Sequence, residues 1–482
     1  NAFRLSYNVY GIVRLNMKEP YIKYHKEITG KMREMVAGIK EYDGATEYHA
    51  ITAGDPENSE SYFLIEPTNK EMFVVDINAP TPDLAEAMVF HLLLITAITK
   101  RAVAYRNPRF HSLFEKRGAI RKIGDAFLLD CGGIKRYIKI GTYPTGKNNA
   151  ITDVTGVTVG HLTLASGDIN TGVTAVLPHQ GNLFREKVPA GAHVFNGFGK
   201  PLGLIQIEEL GIIETPILLT NTLNVGAIAD GLIRYMLASD AAIADTTATV
   251  NPLVLECNDG YLNDIRRLAL TPEDAVKAIM AADSDFAQGN VGAGTGMRCL
   301  GFKGGIGSSS RVIEIAGKTY TLGVLVNSNF QGGSSRDLKI KGRNIGELLQ
   351  KADKGPEDKG SIIVVIATDL PLDPMQLRRV ARRTELGIGN TGGFAAHGSG
   401  DVIVAFSVAN RYRHFSETPT YTREVLHDDY INHAFRAIVE ATEEAIINSM
   451  LHASPVTGYR GRHTEALWQH IESFDDLLIK EE

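Results

Sequence analysis

The chain of 482 residues has a formal net charge of −6, with 44% hydrophobic and 22% charged residues, an ordinary balance for a soluble globular protein. The charge argues against a nucleic-acid binder, the absence of any run of about 18 apolar residues argues against a membrane span, and neither disorder nor a fibre is suggested. Cys131, Cys257 and Cys299 are odd in number and far apart, so neither a disulfide framework nor a paired-thiolate zinc site is indicated, and a reducing, cytoplasmic setting is expected.

The length predicts two domains. Asn1-Ala2-Phe3-Arg4-Leu5 has neither the basic start nor the apolar stretch of a signal peptide, so none is expected. Residues 1–118 read as an α+β extension, with helical character over 27–39, a polar loop at 55–60, strands at 62–65 and 72–77, and a long Ala- and Leu-rich helix over 82–99. His91 and His111 are isolated and fit structural roles. The basic segment 100–122 suits a linker or docking surface, and the domain linker is placed at 119–133.

From Ile134 the texture changes to short β-rich runs punctuated by glycine, of which the chain has 48. Residues 150–161 alternate apolar and polar side chains around a tight turn and read as strand, followed by a strand at 173–177. Helices are expected over 203–210 and 227–237, with a buried strand at 216–220 between them. The apolar strand 253–257 runs directly into the polar cluster Asn258-Asp259-Gly260-Tyr261-Leu262-Asn263-Asp264, although Asn-Asp-Gly is also a standard turn. Thr271 caps a helix over 272–282 with Glu273 in its first turn. The loops Gly292-Ala293-Gly294-Thr295-Gly296 and Gly304-Gly305-Ile306-Gly307 lack both the Walker lysine and the G-x-G-x-x-G spacing, so they read as turn or pocket backbone rather than a phosphate cradle. Strands at 311–316 and 320–327 follow.

Over 351–360 the chain is polar, with six charged residues, and it stops abruptly at Ser361. Residues 362–367 then read as a fully buried strand. A serine at such a junction is ordinarily a loop residue, so its standing depends on the remainder of the chain. A helix over 374–383, a glycine-rich loop over 387–400, a strand at 401–407 and a long helix over 428–451 complete the chain. The last helix carries an apolar stripe through Ile431, Phe435, Ile438, Ala441 and Ala445. Arg378, Arg379, Arg382 and Arg383 have no aromatic residues interleaved to stack on bases and read as a solvated helix face. His193, His397 and His414 have neither H-E-x-x-H spacing nor a nearby second histidine, so no metal and no other cofactor is expected.

From about residue 134 to the C-terminus the sequence resembles the L-aminopeptidase/D-esterase family, which includes the β-peptidyl aminopeptidases. The resemblance is carried by blocks in the family's order: Asn149-Ala150-Ile151-Thr152-Asp153-Val154, the 258–264 cluster, Gly289-Asn290-Val291-Gly292, Gly360-Ser361-Ile362-Ile363 and Gly398-Ser399-Gly400-Asp401. It implies an α/β (α+β) four-layer αββα sandwich of the L-aminopeptidase/D-esterase and ornithine-acetyltransferase type, here preceded by the small α+β extension. It also implies a precursor that cuts itself between Gly360 and Ser361, so that 134–360 and 361–482 remain one folded unit with Ser361 as an N-terminal nucleophile. The free α-amine of Ser361 would titrate near pH 8, close enough to neutrality to take the hydroxyl proton.

The resemblance also assigns roles. Ser399 and Asp401 match a serine and an acidic residue that assist the nucleophile, and whether they or the α-amine act as base stays open. Asn329 matches an oxyanion-hole asparagine, whose amide donor is worth a few kcal/mol in comparable sites. Tyr261 is expected to supply a second hydroxyl, and Glu256 to accept the substrate's ammonium group. Each has a structural alternative: a turn for Asn329, a core position for Tyr261, a serine-glycine loop for Ser399 and Asp401, and no substrate role for Glu256. The implied substrates are short peptides, amino-acid amides or esters, with no nucleic acid or membrane involved, and the implied assembly is a homo-oligomer of cleaved units. Two features depart from the family pattern: the extension before residue 119, and Phe330-Gln331 where an aromatic-glycine pair is common. The alternatives are an acyltransferase resembling ornithine acetyltransferase, an endo-amidase resembling the nylon-oligomer hydrolases, and a binding protein without catalysis.

Overall fold

In the computed structural model the described residues are 138–349, 360–416, 418–473 and 477, together with six strands nearer the N-terminus. The chain divides into two units, Asn1–Lys135 and Arg136–Glu482. The helices expected over 27–39 and 82–99, the loop 55–60, His91, His111, Cys131 and the polar run 351–359 lie outside the described residues.

In the first unit His49–Thr52, Tyr62–Pro67, Met72–Asn78, Ala102–Tyr105, Ala126–Asp130 and Ala119–Ile123 lie in that order across one sheet. The strands expected at 62–65 and 72–77 are its second and third. Met72–Asn78 pairs in parallel with Ala102–Tyr105, which requires a crossover connection. The helix expected over 82–99 falls in that connection. The span 119–133, read as a linker, holds the hairpin Ala119–Ile123/Ala126–Asp130, because the apolar run Phe127-Leu128-Leu129 finds a partner in Ala102–Tyr105.

The second unit runs β1 (Thr158–Ser166), β2 (Ile169–Leu177), β3 (Glu186–Gly197), α1 (Leu204–Leu210), β4 (Ile217–Asn221), α2 (Val225–Ser239), β5 (Leu253–Cys257), α3 (Pro272–Met280), β6 (Gly305–Ile315), β7 (Lys318–Asn329), β8 (Ser361–Thr368), α4 (Pro374–Arg382), α5 (Thr384–Asn390), β9 (Gly400–Ser407) and α6 (Ile431–Leu451), with shorter elements between. The order β3-β9-β8-β7-β6 forms the body of a seven-stranded sheet, in which β8 is parallel to β9 and antiparallel to β7. A four-stranded sheet has the order β5-β4-β2-β1.

Alternation along β8 explains the layering. Ile362, Val364 and Ile366 pack with Leu377 and Val380 of α4 and with Ala434, Ile438 and Ala445 of α6. Ile363, Val365 and Ala367 pack the other way, against Leu219 and Leu255 of the four-stranded sheet. A strand buried on both faces reads as one continuous apolar run, which is why the pattern at 362–367 was legible. The outer face of the four-stranded sheet, Val173, Ala175, Leu218 and Val254, is covered by Ile228 and Leu232 of α2 and by Ala275 and Ala278 of α3. The result is an αββα sandwich with a core between each pair of layers. Each fully buried aliphatic side chain stabilises it by roughly 1.5–3 kcal/mol.

Four expectations are corrected. Residues 150–157 are not strand: Ile151–Asp153 is a 3-10 turn, held because the Asp153 carboxylate accepts the N–H groups of Asn148 and Ala150 at 2.9 and 3.0 Å, and β1 begins only at Thr158. Gly304-Gly305-Ile306-Gly307 is not a loop, because Gly305 opens β6. Glycine is needed there for packing: a Cβ on Gly307 would sit 2.0 Å from the Ala445 carbonyl oxygen, so α6 lies directly on the β6 backbone. The loop expected over 387–400 loses its start to α5, which packs on α6 and carries Gly387 and Gly389 as helical residues. The basic face at 378–383 is also less solvated than its pattern implied, since Arg379 pairs with Asp428 and the Arg383 guanidinium lies 3.7 Å from the centre of the Phe435 ring. Cys257 and Cys299 are buried free thiols, and among the described residues no helix is long and apolar enough to cross a membrane.

Candidate active site

Strand pairing builds a row of residues at one end of the seven-stranded sheet. Asn329, the last residue of β7, is the antiparallel partner of Ser361, the first residue of β8, and Ser361 is the parallel partner of Gly400, the first residue of β9. The Ser361 hydroxyl donates to the Gly360 carbonyl oxygen at 2.6 Å and accepts the Gly400 N–H at 3.3 Å. Gly360 fits only as glycine, since a Cβ would lie 2.4 Å from the Asn329 carbonyl oxygen and 2.6 Å from the Phe330 Cα.

The Asn329 amide is oriented by two backbone groups. Its Oδ1 accepts the Arg298 N–H at 2.9 Å and its Nδ2 donates to the Asn258 carbonyl at 2.8 Å. This fixes which end of the amide is the donor and leaves its second N–H without a partner among the described residues. Two residues further on, Gln331 adopts φ +47°, the left-handed region that favours glycine, which gives the aromatic-glycine pattern of the family a backbone reason. The Gln331 side chain donates to Asp337 at 3.2 Å and accepts the Phe394 N–H at 3.3 Å.

Ser399 and Asp401 are adjacent to this row but lie on its other side. Ser399 donates to Asp401 Oδ1 at 2.6 Å, and the same oxygen accepts the Ile362 N–H at 3.2 Å. Asp401 pairs with Ile362, one step beyond Ser361, so its side chain shares the helix-facing side with Ile362. Neither residue hydrogen-bonds the Ser361 hydroxyl among the described residues; they reach it through the Gly400 and Ile362 backbone. Burial pushes the Asp401 carboxyl up to about 6, against the opposing pull of the Ser399 hydroxyl and the Ile362 N–H.

Two cavities meet at this point. The larger, of about 720 Å³, is lined by Ser361, Asn329, Glu256, Tyr261, Arg298 and Arg462 among others, and the smaller by Ile362, Ile388, Ser399 and Asp401. Gly360 contributes to both walls. Glu256, only 2% exposed at the end of β5, accepts the Lys200 backbone N–H at 2.8 Å and the Thr222 hydroxyl. No side-chain cation pairs with it among the described residues; the Lys200 ammonium donates instead to the Phe198 carbonyl and lies 4.4 Å from that ring's centre. The Tyr261 ring lies under two guanidinium groups, Arg298 at 3.6 Å and Arg462 at 5.0 Å from its centre.

The large cavity therefore gathers Ser361, Asn329, Tyr261 and Glu256, and leaves Ser399 and Asp401 behind the Gly360–Ser361 bond. Sequence reasoning missed Thr222, Lys200, Arg298 and Arg462. No local pattern marks them, because they meet only through the tertiary fold. Among the described residues no group of three or more His, Cys, Asp or Glu side chains is arranged to hold a metal.

Comparison with known proteins converges on this unit. The model described as peptidase family S58 matches residues 149–464. The β-peptidyl aminopeptidase BapA of Sphingosinicella microcystinivorans is 41% identical over 343 residues, 66% of this chain and 84% of that protein. Among solved structures, the PH0078 protein from Pyrococcus horikoshii OT3 aligns with a TM-score of 0.67 and 51% identity over 70% of this chain and 96% of its own. The L-aminopeptidase D-Ala-esterase/amidase from Ochrobactrum anthropi aligns with a TM-score of 0.65 and 36% identity over 70% of this chain and 97% of its own; it is described as a prototype for the serine aminopeptidases and a new variant among the Ntn hydrolase fold.

Proposed function

The chain belongs to peptidase family S58, and from that premise we propose that it is an aminopeptidase that cuts its own Gly360–Ser361 bond. It then releases N-terminal residues from short peptides, amino-acid amides or esters through an acyl-enzyme on Ser361. The observation that carries this reading is the Ser361 hydroxyl, held 2.6 Å from the carbonyl oxygen of the bond it would break, on the wall of the large cavity beside Asn329.

In self-cleavage the Ser361 Oγ adds to the Gly360 carbonyl carbon, the hydroxyl proton passes to the Ser361 nitrogen, and the C–N bond breaks to leave Gly360 as an ester on Oγ. Water hydrolyses the ester, giving a Gly360 carboxylate and restoring the hydroxyl below a free α-amine. In turnover the same Oγ attacks the scissile carbonyl of the substrate, the leaving amine takes up a proton, and water releases the acyl group. The unpaired N–H of the Asn329 amide donates to the developing oxyanion. Glu256 receives the substrate's ammonium group, since a buried carboxylate without a cation favours one. Tyr261 offers its hydroxyl to the same cavity. The base is either the α-amine, which titrates near pH 8, or the Ser399–Asp401 pair, which Gly360 ceases to screen once its bond to Ser361 is broken.

The test is the denatured mass of the purified protein together with its activity on amino-acid p-nitroanilides and amides, including D and β residues. Fragments ending at Gly360 and beginning at Ser361, with hydrolysis of the free-amine substrates, are expected. A persistently intact yet active chain overturns the mechanism. Transfer of the acyl group to an added amine in preference to water replaces hydrolysis with acyl transfer, and Ser361→Ala behaving like the parent chain makes it a binding protein.

A further inference from the structure

We infer that Arg298 and Arg462 form a carboxylate subsite in the large cavity, selecting short peptides that carry a carboxylate beyond the scissile bond. This rests on the aminopeptidase reading and names the substrate class for it.

Neither guanidinium group has an anionic partner among the described residues. Arg298 donates one N–H to the Gly332 carbonyl, and its Nε is buried without a hydrogen-bond partner. Arg462 donates to the carbonyls of Gly260 and Tyr261 at 3.3 and 3.2 Å. Every acceptor is a neutral carbonyl, and among the described residues no Asp or Glu makes an ion pair with either arginine. Arg311, which is fully buried in this unit, shows the contrast: it pairs with both Glu440 and Glu444. Two like charges gathered over one tyrosine ring, both partly buried in the cavity wall, are unfavourable unless an anion joins them. Burial lowers the proton affinity of Arg298 against the opposing pull of Tyr261, and the charge of Arg462 adds a smaller push the same way as burial.

The same cavity wall carries the opposite deficit, because Glu256 is a buried carboxylate without a side-chain cation. A short peptide read from its ammonium end supplies both missing partners: a cation for Glu256 and, past the bond presented to Ser361, an anion for the arginines. A cavity of about 720 Å³ has room for such a ligand. Planar guanidinium groups match a carboxylate through paired N–H donors, which makes the recognition directional as well as electrostatic. If the arginines served only to stack on Tyr261, hydrolysis would be indifferent to charge on the leaving side.

The experiment uses the processed full chain and three substrates with one acyl residue: aminoacyl-alanine with a free carboxylate, the same dipeptide as its C-terminal amide, and aminoacyl-aspartic amide, whose only carboxylate is on the side chain. A carboxylate substrate is expected to exceed the neutral amide in kcat/KM by about tenfold or more, chiefly through KM. Preference for the first substrate assigns the subsite to the main-chain terminus, and preference for the third assigns it to an acidic side chain. Arg462→Gln and Arg298→Gln each bring the carboxylate-to-amide ratio toward one. The ratio in the parent protein, and its decline with added salt, test the inference even where a variant fails to fold. Equal turnover of all three substrates overturns the subsite and leaves the aminopeptidase standing. No turnover of any of them overturns the aminopeptidase reading itself.

Discussion

Asn329 stands directly across the antiparallel ladder from Ser361, and its amide is aimed by an N–H from Arg298 and a carbonyl from Asn258. A donor fixed by the backbone on either side needs no reorganisation when charge develops on a neighbouring oxygen. Asn329→Ala is therefore expected to lower kcat by about 10²–10³-fold, equivalent to about 2.7–4 kcal/mol, with little change in KM. Steady-state kinetics on the cleaved fraction, quantified by mass, check this. A loss confined to KM would place Asn329 in substrate binding instead.

The Gly360 position makes a separate prediction about maturation. A Cβ there meets the Asn329 carbonyl oxygen and the Phe330 Cα, both backbone atoms that cannot swing away. The carbonyl of residue 360 must shift from the Ser361 hydroxyl to relieve the contact. A misplacement of about 1 Å costs on the order of 10²-fold in such reactions. Gly360→Ala should accumulate intact chain over a time course of denatured masses, and cleavage at the parental rate would show that this close approach does not position the bond.

The Asp401 carboxyl offers a pH test of the base. It is pushed up to about 6, first by burial. A base must be ionised to act, and an acid with this value is ionised above about pH 6. If the Ser399–Asp401 pair supplies the base, kcat/KM falls as pH drops through that region, and Asp401→Asn removes the limb along with most of the activity. A limb near pH 8 that persists in Asp401→Asn assigns the base to the α-amine of Ser361 instead.

These geometries show why the site was only partly legible in the sequence. Ser361 and the buried strand after it stand out because both faces of β8 are covered, so apolar residues run unbroken from Ile362 to Ala367. Ser399 and Asp401 stand two residues apart where β9 begins, a spacing that is consistent with the hydrogen bond between their side chains. That spacing says nothing of which side of Ser361 they take, because that depends on the register of β8 with β9, a relation between strands rather than within one. Gly304 to Gly307 misled for a related reason: glycine demanded by the approach of α6 looks the same, locally, as glycine demanded by a turn. Arg298 and Arg462 share no local pattern, and only the folded chain brings both to the Tyr261 ring.

A buried group of charges holds the seven-stranded sheet to α6. The Arg311 side chain is fully buried on β6, where it pairs with Glu444 at 2.8 Å and Glu440 at 3.3 Å on α6, and donates to the carbonyls of Ile140 and Ser310 at 2.8 and 2.7 Å. Glu444 also accepts the Ile140 N–H and the Asn149 amide, so one carboxylate ties the segment before β1 to the helix layer. Removing one member of such a group leaves the other charges buried without compensation, which costs about 3–5 kcal/mol. Arg311→Met should therefore lower the unfolding midpoint of this unit sharply. Adding Glu444→Gln to it should destabilise by less than the sum of the single variants, with a coupling of about 0.5–3 kcal/mol, because the second change removes a charge that the first had orphaned. Strictly additive losses in urea unfolding would mean that Arg311 acts through its hydrogen bonds to the backbone carbonyls, and that the ion pairs contribute nothing of their own.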